Sequence, residues 1–169
     1  MLSLKERFDL LERDLTATPP RITVHQDLPF AILRYDPDEE WKTRREARLL
    51  EARLKQHGKE VVTISLAELL WNAIDKSEGL DAVVQLERER GFESAQEQVT
   101  TYLSDTDWLP LPGLVADRMK SLDPKRHFVF LMRAGSMAPA IYQMSKLLEE
   151  MHGRTKVPTI SVLPWNDRG

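Results

Sequence analysis

Two stretches of this sequence bring together residue types that could do chemistry. The first is Asp36-Pro37-Asp38-Glu39-Glu40, directly after the apolar run Phe30 to Tyr35. Two aspartates one residue apart at the carboxyl end of a strand can hold magnesium and present a nucleophile, as in some phosphatases. The pattern is incomplete. Glu40 stands where that arrangement has threonine or valine, and no Gly-Asp-Gly type of acidic motif follows. An ordinary helix start accounts for the segment with less: Asp36 as N-cap, Pro37 at the first helical position and Glu39 at the capping-box position. The acids would then face the positive end of the helix dipole.

The second stretch is Arg133-Ala134-Gly135-Ser136-Met137, after the run His127 to Met132. Ligands of open α/β sheets sit beyond the carboxyl ends of the strands. There Gly135 could let a phosphate approach the backbone, Ser136 could donate to it, and Arg133 could pair with its charge. Asp36, Asp38, Arg133, Gly135 and Ser136 are therefore the candidate ligand-binding residues. They would serve a small enzyme that handles nucleotides or phosphoesters. Against this, the chain has neither Gly-x-x-x-x-Gly-Lys-Ser/Thr nor Gly-x-Gly-x-x-Gly, and position 138 is alanine, which removes the Gly-x-Ser-x-Gly nucleophile elbow. A tight strand-to-helix turn with Ser136 as cap explains the segment more simply.

The remaining inventory assigns no catalytic residue, metal ligand or cofactor. No cysteine is present, so disulfides, thiolate nucleophiles and cysteine-bound zinc are excluded. The four histidines, His25, His57, His127 and His152, show no i, i+4 metal pair. His57 and His152 each precede a glycine, where an imidazole complements the carbonyl end of a helix. Basic residues of the 38–56 segment, Arg44, Arg45 and Arg48 among them, are interleaved with glutamates, the pattern of a solvated helix face. Met132, Met137, Met144 and Met151 recur at spacings typical of core filler. One segment suits a partner better than a substrate: Trp108-Leu109-Pro110-Leu111-Pro112-Gly113. An aromatic anchor on a proline-stiffened loop loses little entropy on binding, so Trp108, Leu109 and Leu111 are candidate partner-binding residues. The competing reading is a loop folded over the sheet edge.

The elements that must position these residues can be read from periodicity. Residues 2–15 form an amphipathic helix through Leu4, Phe8, Leu11 and Leu15. A strand at 30–35, a helix to about His57, and a strand at 61–65 follow, with a helix over 66–74 behind them. The plan repeats as a strand at 127–132, a helix to His152 and a strand at 159–163. The halves echo in letters too: Leu49-Leu50-Glu51, His57-Gly58 and Thr63-Ile64-Ser65 against Leu147-Leu148-Glu149, His152-Gly153 and Thr159-Ile160-Ser161. The expected fold is one α/β domain over 1–169. Its core is an open, mostly parallel four-stranded sheet in the order 2-1-3-4, with helices on both faces. Residues 75–122 are a helical insertion, acidic in its first part, where nine acids over Asp75 to Asp107 meet only three bases.

Net charge bounds the partners. At −3, the chain lacks the basic surplus that phosphate neutralisation requires, so strong nucleic-acid binding by the isolated domain is not expected. Apolar runs are too short to span a bilayer, and charges at Lys5, Glu6, Arg7 and Asp9 break any secretory leader, which suggests a cytoplasmic protein.

Several of these segments taken together resemble the BrxB family of BREX phage-exclusion systems. They are Phe130 to Pro139, Leu147-Leu148, Gly153-Arg154-Thr155, Val157-Pro158-Thr159-Ile160, Phe30 to Pro37 and Val62 to Glu68. The acidic middle is not part of the likeness. Family members follow the last strand with aromatic-Pro-Gly, whereas this chain has Leu163-Pro164-Trp165 and stops at Gly169, which points to a truncated or divergent tail. The resemblance implies a non-enzymatic component of an antiphage system that blocks phage DNA replication and marks host DNA by methylation. It implies partners within that assembly: a PglZ-like protein of the alkaline-phosphatase superfamily, a large ATPase and a methyltransferase.

Overall fold

Two strands of this chain are buried along nearly their whole length, and they form the centre of the sheet. They are β4 (His127–Met132) and β5 (Thr159–Pro164). Around them lie β1 (Val24–His25), β2 (Leu28–Tyr35) and β3 (Glu60–Ser65), in the order β1-β2-β5-β4-β3. β2, β5, β4 and β3 are mutually parallel, and β1 is a two-residue antiparallel addition to the β2 edge. The computed structural model describes residues 1–22, 24, 25, 28–138 and 140–165; the His25 side chain, Pro139 and the tail from 166 lie outside them.

The open parallel sheet with helices on both faces is the expected fold class. The strand order is not the expected 2-1-3-4. Numbered as in the sequence, the four parallel strands run 1-4-3-2, so the first strand is at an edge beside the last. Right-handed crossovers fix the face on which a connecting helix lies, but not how many strands it passes. α2 (Glu40–Gln56) has 17 residues. The connection it belongs to crosses three strand spacings of about 4.8 Å. Burial then decides the order. Strands apolar on both faces belong in the middle. Five of the six residues in each of β4 and β5 are buried, whereas β3 buries only Ile64. The letter echo between the halves therefore joins unlike units, one spanning the sheet and one linking neighbours.

Alternation along β4 builds two cores. Phe128, Phe130 and Met132 face α1 (Leu4–Thr16) and α2, meeting Phe8, Leu50 and Leu54. Val129 and Leu131 face the other layer, which contains α3 (Leu66–Lys76), α5 (Phe92–Ser104), α6 (Leu111–Met119) and α7 (Met144–Glu150). α4 (Leu80–Arg90) packs beside α5. Opposite travel across the sheet explains the two layers: α2 carries the chain to the far edge, and the later connections step back one strand at a time. Among the described residues, no helix is long and apolar enough to cross a membrane.

Three helix boundaries differ from expectation. α2 starts at Glu40, because Pro37–Glu39 forms a one-turn 3-10 helix capped by Asp36, and Glu39 makes no capping box. Leu111, Pro112 and Gly113 open α6 instead of forming a loop; proline is tolerated in a helix's first turn. The helix expected to run from Met137 to His152 is shorter, covering only Met144–Glu150. Ala138 precedes a proline and is extended, at φ −82° and ψ 154°, as steric exclusion from the helical region requires.

Phe130 is buried on the central strand, whereas Ile32 on the edge strand is 50% exposed. Phe130→Ala should lower the unfolding free energy by about 3–5 kcal/mol. Ile32→Ala should change it by less than about 1 kcal/mol. Urea denaturation compares the two, and equal losses would contradict the central placement of β4.

Candidate functional site

All four parallel strands end on one edge of the sheet, at Tyr35, Ser65, Met132 and Pro164. A single carboxylate organises much of that edge. Glu40 accepts a hydrogen bond from the Tyr35 hydroxyl, at the end of β2. It also accepts from Arg44 Nε at 2.8 Å, and Arg133 Nε lies 3.9 Å away, just past the end of β4. Burial first, and then the bond to Glu40, hold the Tyr35 phenol well above its ordinary range, so it is a neutral donor. Arg133 has a left-handed backbone, φ 64° and ψ 33°, and the Ser136 hydroxyl donates to its carbonyl at 2.7 Å.

A cleft of about 440 Å³ opens beside this hub, between α2 and the ends of β3 and β4. Its wall carries three guanidiniums (Arg44, Arg48 and Arg133), one carboxylate (Glu51) and two hydroxyls (Thr63 and Ser65). Arg44, Arg48 and Glu51 recur at helical spacing on the side of α2 that leans over the sheet. Ser65 caps α3, accepting from the Glu68 backbone N–H at 3.3 Å. Such a wall favours an anion that also offers hydroxyl groups. A second groove, of about 560 Å³, lies between the β2 edge and α7 and includes Ile32, Met144 and Trp165.

Of the five ligand-binding candidates, only Arg133 lines the arginine cleft. Asp36 accepts from the Asp38 backbone N–H at 3.1 Å and is a cap. Asp38 is exposed. Gly135 is exposed too, and a Cβ built on it would meet nothing within 4 Å, so no close approach requires glycine there. Ser136 closes the Arg133 turn instead of capping a helix. Asp36 and Gly135 thus line no common cleft among the described residues, nor does any group of three or more His, Asp or Glu there suit a metal ion. Arg44, Arg48, Thr63 and Ser65 escaped sequence reasoning. The available signal was the i, i+4 arginine pair on a helix that follows the first strand.

The Trp108 segment packs inward. Leu111 is 0% exposed, and Trp108 and Leu109 are partly buried against the α3–α7 core. The Trp108 ring meets the buried Tyr102 edge-on, with centroids 4.9 Å apart, and Leu109 N–H donates to the Tyr102 carbonyl at 3.0 Å. Of the four methionines, Met132, Met137 and Met151 are buried, as core filler should be.

The molecule is thus a three-layer α/β protein with an open parallel sheet and an arginine-lined cleft over its strand ends. Comparison with family models matches residues 62–168 to the family described as BREX protein BrxB. The chain belongs to the BrxB family and is a component of a BREX defence system. The match takes in the acidic middle, outside the likeness seen in the sequence, and begins after Phe30 to Pro37, which that likeness included. No curated protein and no solved structure matches the chain.

Two outcomes follow. All three tyrosines have raised phenols: burial is the first cause for each, followed by a carboxylate partner, Glu40 for Tyr35, Glu78 for Tyr102 and Glu150 for Tyr142. Tyr102 is pushed up to about 12. A raised folded value means that this stabilisation is complete below the ordinary tyrosine range and is lost as pH climbs through the folded values. Tyrosinate absorbance should therefore be small at about pH 10, where free tyrosine is half ionised. It should then rise together with loss of the helical circular dichroism signal. Phenolate forming near pH 10 in a folded protein would contradict the burial. Separately, Trp108→Ala should lower stability by about 3 kcal/mol, read by thermal and urea unfolding; an unchanged melting curve would return Trp108 to the surface.

Proposed function

We propose that this protein is a non-enzymatic, cytoplasmic adaptor of the BREX assembly that docks onto a larger component. The expected partner is the PglZ-like protein, with the large ATPase as the second choice. The observation that carries this reading is the α4–α5 hairpin. α4 has no buried residue, residues 87–93 are all exposed, and Phe92 at the turn is 65% exposed. Gly79 and Gly91 bracket α4 with φ of 86° and 91°, a backbone that only glycine adopts without strain.

An 11-residue helix is marginal by itself, and this one adds little to the core. What it offers is surface. The hairpin carries Asp81, Glu87, Glu89, Glu93 and Glu97 against Arg88 and Arg90, with the exposed Phe92 ring at its turn. An aromatic anchor within an acidic rim suits a basic face on a protein partner, because the ring supplies affinity and the charges steer association. The same charges, with a net −3 overall, disfavour duplex DNA. With Leu111 inside the core and Trp108 packed on Tyr102, this hairpin replaces the Trp108 segment as the docking surface.

Phe92→Ala should leave the melting temperature nearly unchanged and weaken the complex by about 2 kcal/mol, or about thirtyfold in Kd. Titration calorimetry against the purified PglZ-like protein and the ATPase measures this. Wild-type affinity in the variant would remove the hairpin as the docking site. Failure of the wild-type chain to bind either component would remove the adaptor reading.

A further inference from the structure

The geometry points to a ligand site in the arginine cleft. We infer that Arg44, Arg48 and Arg133 hold the phosphate of a small hydroxyl-bearing phosphomonoester between α2 and the ends of β3 and β4. This goes beyond the docking role and does not depend on it.

Three observations carry the inference. The first is the size and place of the cleft. At about 440 Å³, the cleft falls in the range of about 300–1,000 Å³ typical of small-molecule sites. It also lies at the carboxyl ends of parallel strands, where open α/β sheets take ligands.

The second is the state of the guanidiniums. Arg48 makes no ion pair among the described residues, although Glu51 stands on the same wall. Arg44 gives Glu40 only its Nε donor, one of the five N–H groups a guanidinium carries. Arg133 lies 3.9 Å from Glu40, too far for a hydrogen bond. Three cations share one wall with the Glu51 carboxylate, Glu40 behind them takes one donor from Arg44 and lies within ion-pair reach of Arg133, and most of the guanidinium donors are uncommitted. Phosphate oxygens are the acceptors that suit such forks.

The third is the backbone of Arg133. It is the only non-glycine residue with positive φ among those described. That conformation disfavours a Cβ by about 1–2 kcal/mol, and glycine or asparagine would relieve it. The arginine instead projects its charge onto the cleft wall, with the Ser136 hydroxyl fixing its turn.

The rest of the wall narrows the class. Thr63 and Ser65 offer hydroxyls, and the Glu51 carboxylate accepts from a ligand hydroxyl, as a sugar would present. The chain lacks a triphosphate-binding loop, so a single phosphate fits better than Mg·ATP.

Titration calorimetry on the full chain tests this, with ribose 5-phosphate, adenosine monophosphate, inorganic phosphate and glutarate as probes. Saturable binding of either ester is expected, weakened about tenfold or more by Arg48→Ala and by Arg133→Ala. Arg45→Ala, on the same helix but outside the cleft, should bind as the wild type does. Circular dichroism and thermal melts confirm that each variant is folded. Should Arg133→Ala fail to fold, Arg48→Ala, at an exposed position, decides alone. Absence of saturable binding by both esters up to about 10 mM, a free energy weaker than about 3 kcal/mol, overturns the site. So does equal binding of glutarate, or an equal loss in Arg45→Ala. Binding of inorganic phosphate but neither ester overturns the monoester assignment.

Discussion

The Glu40 carboxylate joins three parts of the chain that are far apart in sequence. Tyr35 reaches it from the end of β2, Arg44 from the next turn of α2, and Arg133 stands nearby past β4. The Tyr35 side chain is only 2% exposed, so its hydroxyl needs an acceptor; leaving it without one would cost about 1–3 kcal/mol. That requirement fixes the first turn of α2 against the strand that precedes it. Once residue 40 is placed, helical periodicity brings 44, 47, 48 and 51 over the sheet. Ala47 lets α2 approach closely, and the longer arginines on either side leave the cleft open. The interaction that anchors the crossover thus also aims its cations.

The crossover explains the two faces. α2 travels over the full sheet, and every later connection returns one step. Each direction of travel supplies one layer, and β4 and β5 are buried on both sides because they are covered twice. The hairpin α4–α5 is free of this constraint. It lies within the single long connection between β3 and β4, where α3, α5 and α6 already cover the sheet. α4 is left over and buries no residue, which is why five of its eleven positions can be charged.

Local signals were legible in the sequence, and nonlocal ones were not. Strand positions follow from short apolar runs, and the glycines after α2 and α7 mark their stops with positive φ at Gly58 and Gly153. Asp36 caps because a cap is decided within three residues. Strand order is decided by pairing across more than a hundred residues, such as Phe30 with Thr159, and the repeat of the two halves does not encode it. The burial contrast between β3 and β4 did contain the answer: Thr63 and Ser65 interrupt the one run, whereas Phe128 to Met132 is unbroken. Arg133 was legible because any residue just past a parallel strand is a ligand candidate. Arg44 and Arg48 were not, because an i, i+4 charge pattern looks the same whether a helix faces water or the rim of a sheet.

The cleft also divides along the boundary of the family match. Thr63, Ser65, Met132 and Arg133 fall within residues 62–168, whereas Arg44, Ala47, Arg48 and Glu51 precede them. One wall therefore comes from the part that defines the family, and the facing wall comes from a helix that the family description does not reach. The Tyr35–Glu40 bond holds that helix in place, and it too lies before residue 62. On α2 the residues that pack on the strands, Ala47, Leu50 and Leu54, are distinct from the charged cleft residues Arg44, Arg48 and Glu51. The matched strands supply the floor of the cleft, and α2 supplies two of its three guanidiniums. The charge of the cleft is thus a property of α2 more than of the sheet.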